Sequence, residues 1–492
     1  MSTLSPQENV PMRDGSKSRP MKLAALRSRT LIALLALPLP GAAAEVGPGG
    51  LPVPLWSVSF FVALLLGIAI LPIVAAHWWE RNLNKGIWAA LFGVPVAVYL
   101  VAVHGSAGAT KLFHAFEEYA SFIVLLGALF VISGGIVIRG AFAGTPLVNT
   151  GFLVVGGALA SLIGTTGASM LLIRPLLRAN RKRRRTAHIV VFFIFVVSNC
   201  GGLLTPLGDP PLFLGFLKGV PFEWTFRLWP EWLLVNGILV LLFNLYDQRV
   251  LGREERERPA HVMDEIVHTK ESFGIDGAHN ILFLAGIVGV ILASGGGIGN
   301  AGEPWPWGIQ EGLMALLALT AFAATKPGLR KANGFSFHAI NEVAILFAGI
   351  FAAMVPALQY LNAHGKDLPL DQPWQYFWMT GILSSFLDNA PTYLTFAATA
   401  CGKAGLALEG RYLADFLTTD GSATILAAIS CGAVFMGANT YIGNGPNFMV
   451  KAIAEESGVK MPGFFGYMAY SGVVLLPLFL IVTWIFFAPH RV

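Results

Sequence analysis

The stretch Ser198-Asn199-Cys200-Gly201-Gly202-Leu203-Leu204-Thr205-Pro206-Leu207-Gly208-Asp209-Pro210-Pro211 decides the fold because it interrupts an otherwise apolar run. Apolar residues 189–197 precede it and 212–217 follow it, which places Asp209 near the middle of a bilayer. An ionisable side chain at that depth is costly and is a functional candidate by default. The glycines and prolines of the stretch prevent a regular helix. The freed backbone groups must therefore be buried in protein or line a watered cavity.

The composition is that of a membrane protein. Of the 492 residues, 55% are hydrophobic and 12% are charged, and the mean hydropathy is +0.65. Soluble proteins carry about a quarter charged residues. We therefore expect an all-α polytopic membrane protein whose surroundings are the lipid bilayer. The net charge of +5 comes from short loops between apolar segments, so it indicates topology and no nucleic-acid partner. The three cysteines have no CxxC spacing and are expected to be small packing residues.

Residues 1–44 have the layout of a polar tail followed by a secretory signal. Basic residues between Met21 and Arg29 precede the short apolar run 31–39 and the small residues 41–44. This pattern predicts cleavage after Ala44. An uncleaved N-terminal anchor is the alternative.

The remaining apolar segments form two groups, a first repeat at 57–247 and a second at 281–487, separated by a polar cytoplasmic linker at 248–280. Five crossings are predicted in each repeat. They are 57–76, 87–103, 120–138, 189–217 (interrupted), 228–245, 281–293, 313–324, 343–361, 423–450 (interrupted) and 464–487. Each repeat also holds one apolar stretch broken in its middle, 146–172 and 374–400, which we interpret as re-entrant hairpins. An amphipathic or buried helix is the alternative for each.

Two internal matches relate the halves. Residues 159–167 parallel 383–391, and Thr205 to Leu214 parallels Thr440 to Met449. With five crossings, an odd number, the second repeat must be inverted relative to the first. The loop Lys and Arg residues favour an external Glu45 and an internal cluster of six basic residues between Arg178 and Arg185. We interpret that cluster as a solvated topogenic loop in preference to a lipid-binding site.

Polar side chains cluster at the two breaks and at the two hairpin tips. They are Asn199, Thr205, Asp209, Asn439, Thr440 and Asn444 at the breaks, and Thr165, Thr166, Asp388 and Asn389 at the tips. Carboxylate, amide and hydroxyl oxygens are hard donors that suit a cation such as sodium. Asp209 and Asp388 are the predicted sodium ligands. The alternative is that the two carboxylates only cap half-helix N-termini.

The two carboxylates favour a cation–proton exchange. Burial favours the neutral acid and a bound cation favours the carboxylate, so proton and cation compete for the same oxygens. This prediction places no Lys or Arg at mid-membrane. Arg174 follows the first hairpin at its inner end, where a topogenic role and a substrate role are both open.

The motif 198–211 together with Leu387-Asp388-Asn389-Ala390-Pro391 resembles an ion-transporter superfamily. It includes NhaD-type sodium/proton antiporters, ArsB-type pumps, CitM-type citrate transporters and divalent-anion/sodium symporters. The resemblance implies an inverted-repeat transporter in which the hairpins and broken helices move, elevator-like, against a dimeric scaffold. Asn199 and Asn439-Thr440 stand where Ser-Asn-Thr sodium motifs would lie. Cys200 and Gly437-Ala438 depart from those motifs and from a symporter-type dicarboxylate pocket.

The sequence therefore predicts a secondary active transporter, not an enzyme, in a bacterial inner membrane. Sodium/proton antiport is the first hypothesis, with Na⁺ and H⁺ as transported ions, no cofactor, and a homodimer implied by the resemblance. The alternative is a cation-coupled transporter of citrate or another anion that uses the half-helix N-termini at 208–212 and 443–447. An intramembrane aspartyl protease is disfavoured because Pro206 occupies the first glycine position of its Gly-x-Gly-Asp element.

Overall fold

The computed structural model describes residues 50–140, 142–257, 274–301 and 303–488. The predicted signal at 1–44 and much of the linker lie outside the described residues. Within the described ranges, eight helices are long and apolar enough to cross a membrane. The protein is therefore an α-helical integral membrane protein.

The helices of the first half follow the predicted segments. They are α1 (Leu55–Val74), α2 (Ala76–Trp79), α3 (Asn82–Ser133), α4 (Pro146–Ile163), α5 (Thr165–Ala179), α6 (Ala187–Val196), α7 (Pro210–Leu217) and α8 (Trp229–Glu257), with 3-10 helices at Cys200–Leu204 and Phe222–Leu228. The interruption predicted after residue 197 separates α6 from α7. Helix α8 continues to Glu257, ten residues into the stretch predicted as linker.

The helices of the second half also follow predicted apolar segments. They are α9 (Asn280–Gly295), α10 (Ile309–Ala324), α11 (Pro327–Ala332), α12 (His338–Ala363), α13 (Pro373–Ser384), α14 (Asn389–Lys403), α15 (Tyr412–Leu417), α16 (Ser422–Met436), α17 (Gly445–Glu456) and α18 (Phe464–Val482), with 3-10 helices at Gly365–Asp367 and Gly437–Asn439 and a π-helix at Thr483–Phe487. The two arms of each predicted hairpin are separate helices, α4 with α5 and α13 with α14.

Two features differ from the sequence prediction. The second and third crossings are two helices that follow each other directly within α3, because the residues between the predicted crossings are helical except at a kink at Gly105 (φ 58°, ψ −131°). Glycine adopts this positive φ without steric cost, and the first of the two helices ends there. In addition, β1 (Val137–Arg139) pairs antiparallel with β2 (Gly274–Asp276), and Arg139 forms an ion pair with Asp276. Strands of three residues are too short to produce an alternating pattern.

Close backbone contacts explain the glycines of the two breaks. A Cβ atom on Gly208 would lie 2.0 Å from the carbonyl oxygen of Gly202, and one on Gly443 would lie 2.6 Å from that of Gly437. Each break is therefore a tight loop that folds onto the end of the preceding helix. The first hairpin turns at one residue, Gly164, whose φ of 81° suits glycine.

The helices pack in two groups. Helix α3 contacts α1, α10 and α12, and α1 also contacts α12; we call these four helices the scaffold. The hairpins pack against the broken helices, and α6 and α16 form the centre of that second group. Every residue from His188 to Val196 is buried, which a helix in the middle of a bundle requires. The three cysteines are free and buried there as packing residues.

The contact of α14 with α12 gives a stability prediction. A Cβ on Gly402 would lie 1.9 Å from the carbonyl oxygen of Asn362, whereas one on Gly472 of α18 meets nothing within 4 Å. We expect Gly402→Ala to lose about 1–3 kcal/mol of stability through overpacking. Gly472→Ala should be neutral or stabilising, because alanine favours the helix by up to about 1 kcal/mol. Thermal unfolding in detergent measures both, and equal melting temperatures would contradict the close contact.

Candidate functional site

The two hairpins and the two breaks meet at the carboxylate of Asp209. This side chain is 1% exposed. Its Oδ1 accepts hydrogen bonds from Thr165 Oγ1 at 2.9 Å and from Asn444 Nδ2 at 3.2 Å, and its Oδ2 accepts one from Asn389 Nδ2 at 2.8 Å. The donors come from the first hairpin tip, the second break and the second hairpin tip. One buried carboxylate thus joins four elements that are far apart in the chain.

Asp209 and Asn444 end the two breaks in nearly the same extended backbone conformation. Asp209 directly precedes Pro210 and has φ −145° and ψ 144°. Asn444 has nearly the same conformation, φ −147° and ψ 140°, just before α17, in which Pro446 occupies the first turn. Pro210 restricts the preceding Asp209 to extended backbone, whereas Asn444 precedes Gly445. Proline is well tolerated in the first turn of both helices. Each break therefore ends with one polar residue aimed at the other break.

Thr205 and Thr440 fix the shape of the break loops. The Thr205 hydroxyl donates to the carbonyl oxygen of Ser161, and the Thr440 hydroxyl donates to that of Ser385 at 2.5 Å. Each hydroxyl also accepts a backbone N–H two residues further on. Both threonines are predicted site residues, but the structure places them in the support of the site. Ser161 and Ser385 occupy corresponding positions in the internal match of residues 159–167 with 383–391. That match was the sequence feature from which their supporting role could have been predicted.

Amide side chains link the first break to the second. Asn199 Nδ2 donates to Asn447 Oδ1 at 2.7 Å. Asn444 Nδ2 lies 3.1 Å from the Ser198 carbonyl oxygen and 3.2 Å from Asn199 Oδ1, in addition to its contact with Asp209. Three oxygens of the first break therefore converge on one N–H₂ group, which carries partial positive charge. The sequence did not indicate the Ser198 carbonyl.

Asp388, Asn439 and Thr166 lie beside this network. The Asp388 carboxylate accepts the backbone N–H of Ala390 at 3.1 Å and so caps α14. Asn439 donates to Ser385 Oγ at 2.9 Å, and its Oδ1 is buried without a partner. Thr166 lines the adjacent cavity together with Asp388. Asp388 therefore lines the same cavity as Asp209 while it caps α14. Among the described residues, no hydrogen bond joins the two carboxyl groups.

A cavity of about 680 Å³ lies between the scaffold and the Asp209 network. Phe122 of α3 and Phe347 of α12 belong to its apolar scaffold wall. The opposite wall includes the first residues of α5, α7 and α17 and the cap of α14. The cavity is therefore bounded by both helix groups.

The charged residues of the cavity are mostly acidic. Glu80, Asp209, Asp388 and Glu456 line it, and a fifth carboxylate, Glu342, pairs with Lys85 at 2.8 Å. Among the described lining residues, Arg174 is the other Lys or Arg. Its Nη1 is buried without a hydrogen-bond partner. The excess of carboxylates favours cations in the cavity.

The donor set suits a monovalent cation or a proton. In the described part of the chain, no three His, Cys, Asp or Glu side chains lie close enough to hold a metal ion. The junction offers one carboxylate with neutral amide, hydroxyl and carbonyl oxygens, which are hard ligands. Helix N-termini at the same wall attract anions.

Comparison with known proteins gives one family. The family model described as "Putative citrate transport" matches residues 50–487, which include both hairpins, both breaks and the whole cavity lining. No curated protein matches the chain.

The contacts of the two acids predict different stabilities for their alanine variants. Asp209→Ala removes the acceptor of the Thr165 hydroxyl and of the Asn389 amide, at about 1–3 kcal/mol for each, while the Asn444 amide keeps its contacts with the Ser198 and Asn199 oxygens. Asp388→Ala removes one helix cap, which costs about 1 kcal/mol. Thermal unfolding in detergent should therefore place Asp209→Ala well below Asp388→Ala. A melting temperature for Asp209→Ala at or above that of Asp388→Ala would show that the network does not hold the elements together.

Proposed function

The chain belongs to the citrate transport family matched above, and from this premise we propose that this secondary transporter exchanges sodium ions for protons at Asp209. The observation that carries the proposal is the position of Asp209, the carboxylate at which both hairpins and both breaks meet. A change in the charge of this group affects all four elements at once.

The charge of the cavity supports a cation as the transported species. In the part of the chain that the structure describes, five carboxylates line the cavity, against the two basic side chains of Lys85 and Arg174. A cleft lined by one sign of charge concentrates ions of the opposite sign. Sodium would therefore be enriched next to the Asp209 network, on the path between the cavity and the breaks.

In this mechanism, sodium takes the position that the Asn444 amide now occupies. Ser198 O, Asn199 Oδ1 and Asp209 Oδ1 already converge there. If the Asn444 side chain turns away, these three oxygens become ligands for a small hard cation. A proton on Asp209 removes the charge and releases the cation, so the two ions compete.

Alternating access in this proposal is a movement of the hairpins and broken helices along the scaffold. The cavity separates these two groups, and its scaffold wall on α3 and α12 is largely apolar. An apolar wall offers few directional contacts that would resist sliding. The inverted relation of the halves and a homodimeric scaffold belong to the same proposal.

The exchange is tested in proteoliposomes that carry an imposed pH gradient. Adding sodium should dissipate the gradient with the wild-type protein, and Asp209→Asn should lose at least tenfold in rate because it cannot carry the exchanged charge. Asp420→Asn, an exposed carboxylate outside the cavity, is the matched control and should retain the wild-type rate. Sodium-dependent exchange by Asp209→Asn at the control rate would refute the proposal.

Cation-coupled transport of citrate or another anion is the second candidate. Four helix N-termini face the cavity, at α5, α7, α14 and α17, and the buried Nη1 of Arg174 has no hydrogen-bond partner. Oriented N–H groups and a guanidinium group are suited to carboxylates. In this case sodium at Asp209 supplies the coupling ion.

Uptake of labelled citrate separates the two candidates. A citrate transporter should accumulate label when sodium is added, and Arg174→Gln should reduce that uptake at least tenfold. The exchanger should show no citrate uptake, and Arg174→Gln should leave sodium-dependent proton flux within about twofold of wild type. Lys326→Gln, an exposed basic residue outside the cavity, is the control for both assays.

A further inference from the structure

A second cavity, of about 890 Å³, lies at the charged end of α8. Its walls come from the segment between α5 and α6, from the last turns of α8, and from the residues that follow α17. Its basic lining residues are Arg174, Arg178, Arg181, Arg183, Arg184, Arg185, Arg253 and Lys460. Since Arg253 and Lys460 belong to other parts of the chain than the Arg178–Arg185 cluster, folding concentrates positive charge beyond what one topogenic loop supplies.

Only part of this charge is neutralised. The buried Arg183 pairs with Asp247 at 2.6 Å, and Arg185 pairs with Glu257 at 3.0 Å. Among the described residues, Arg181, Arg184 and Lys460 form no ion pair, and all three are exposed. The ion pairs of Arg183 and Arg185 therefore hold the wall of the cavity in place. Arg181, Arg184 and Lys460 form its positively charged rim.

The cavity opens beside an apolar surface at the level where α8 changes from apolar to charged residues. Tyr246 of α8 and Tyr470 of α18 line it. On the apolar side of Tyr246, Leu242 and Leu245 are 41% and 44% exposed, and α8 contacts α18. Val473, one turn after Tyr470, is 77% exposed. A molecule in the cavity can thus extend along apolar side chains into the lipid region.

We propose that this cavity binds the phosphate headgroup of an anionic phospholipid, with the acyl chains lying along α8 and α18. A lipid headgroup and a soluble phosphate ion both present phosphate oxygens, and the planar guanidinium groups of several arginines can donate paired hydrogen bonds to them. Basic pockets between membrane helices on one face are suited to anionic headgroups. A soluble phosphate ion shares the cations but not the apolar surface.

The test measures lipid retained by the purified full-length protein in detergent, using native mass spectrometry with phosphatidylglycerol, phosphatidylcholine and inorganic phosphate as three separate probes. The variant is Arg181→Gln/Arg184→Gln, which removes two rim cations. The matched control is Lys326→Gln/Lys331→Gln, which removes the same charge from exposed residues outside the cavity. Gel filtration establishes that both proteins are folded.

We expect wild type and control to retain phosphatidylglycerol at least tenfold more tightly than phosphatidylcholine, and the cavity variant to lose that preference. Equal retention of phosphatidylglycerol by the cavity variant and the control would overturn the site. Binding of inorganic phosphate that equals the binding of phosphatidylglycerol would overturn the lipid assignment, because the acyl chains would then contribute nothing.

Discussion

A carboxylate in a membrane protein must find hydrogen-bond donors within the protein, and this requirement organises the structure around Asp209. Lipid supplies no donors, and a buried charge without partners is costly. The donors come from Thr165, Asn389 and Asn444, which are 44, 180 and 235 residues away in the chain. Satisfying one side chain therefore brings both halves together. The chain is not α-helical at the two breaks, between α6 and α7 and between α16 and α17, where these side chains meet.

How much the sequence predicted depends on the range of the interaction. The breaks were predictable because glycines and prolines inside an apolar run force the helix to open within the membrane. The hairpins were predicted from two apolar stretches, 146–172 and 374–400, that are broken in their middle, with Thr165, Thr166, Asp388 and Asn389 at the tips. The partners of Asp209 were predicted as a set of polar residues, but their pairing depends on how distant segments pack. Thr205 and Asn439 are next to the site in sequence and point elsewhere, because a tight loop turns successive side chains in different directions.

The contacts also distinguish support from site. Thr205 and Thr440 each bind a carbonyl oxygen of the neighbouring hairpin, at Ser161 and Ser385. These paired contacts agree with the predicted relation between the two halves. The opposite orientation of the halves in the membrane stays a prediction. Each hairpin is therefore fastened to the break of its own half, and Asp209 with Asn444 joins the two halves. Supporting hydrogen bonds of this kind hold the side chains of a functional site in a fixed geometry.

The contact between Asp209 and Asn444 is asymmetric in charge, and this affects how the membrane voltage would act on transport. Equivalent positions in the two breaks hold Asp209 and Asn444, so this contact carries one negative charge where a symmetric pair of acids would carry two. One carboxylate holds one sodium ion or one proton. An exchange confined to Asp209 would move no net charge across the membrane, so the membrane voltage would neither drive nor oppose it. The cap on α14 uses Oδ1 of Asp388, so Asp388 would add a second charge to the cycle if its Oδ2 also bound an ion.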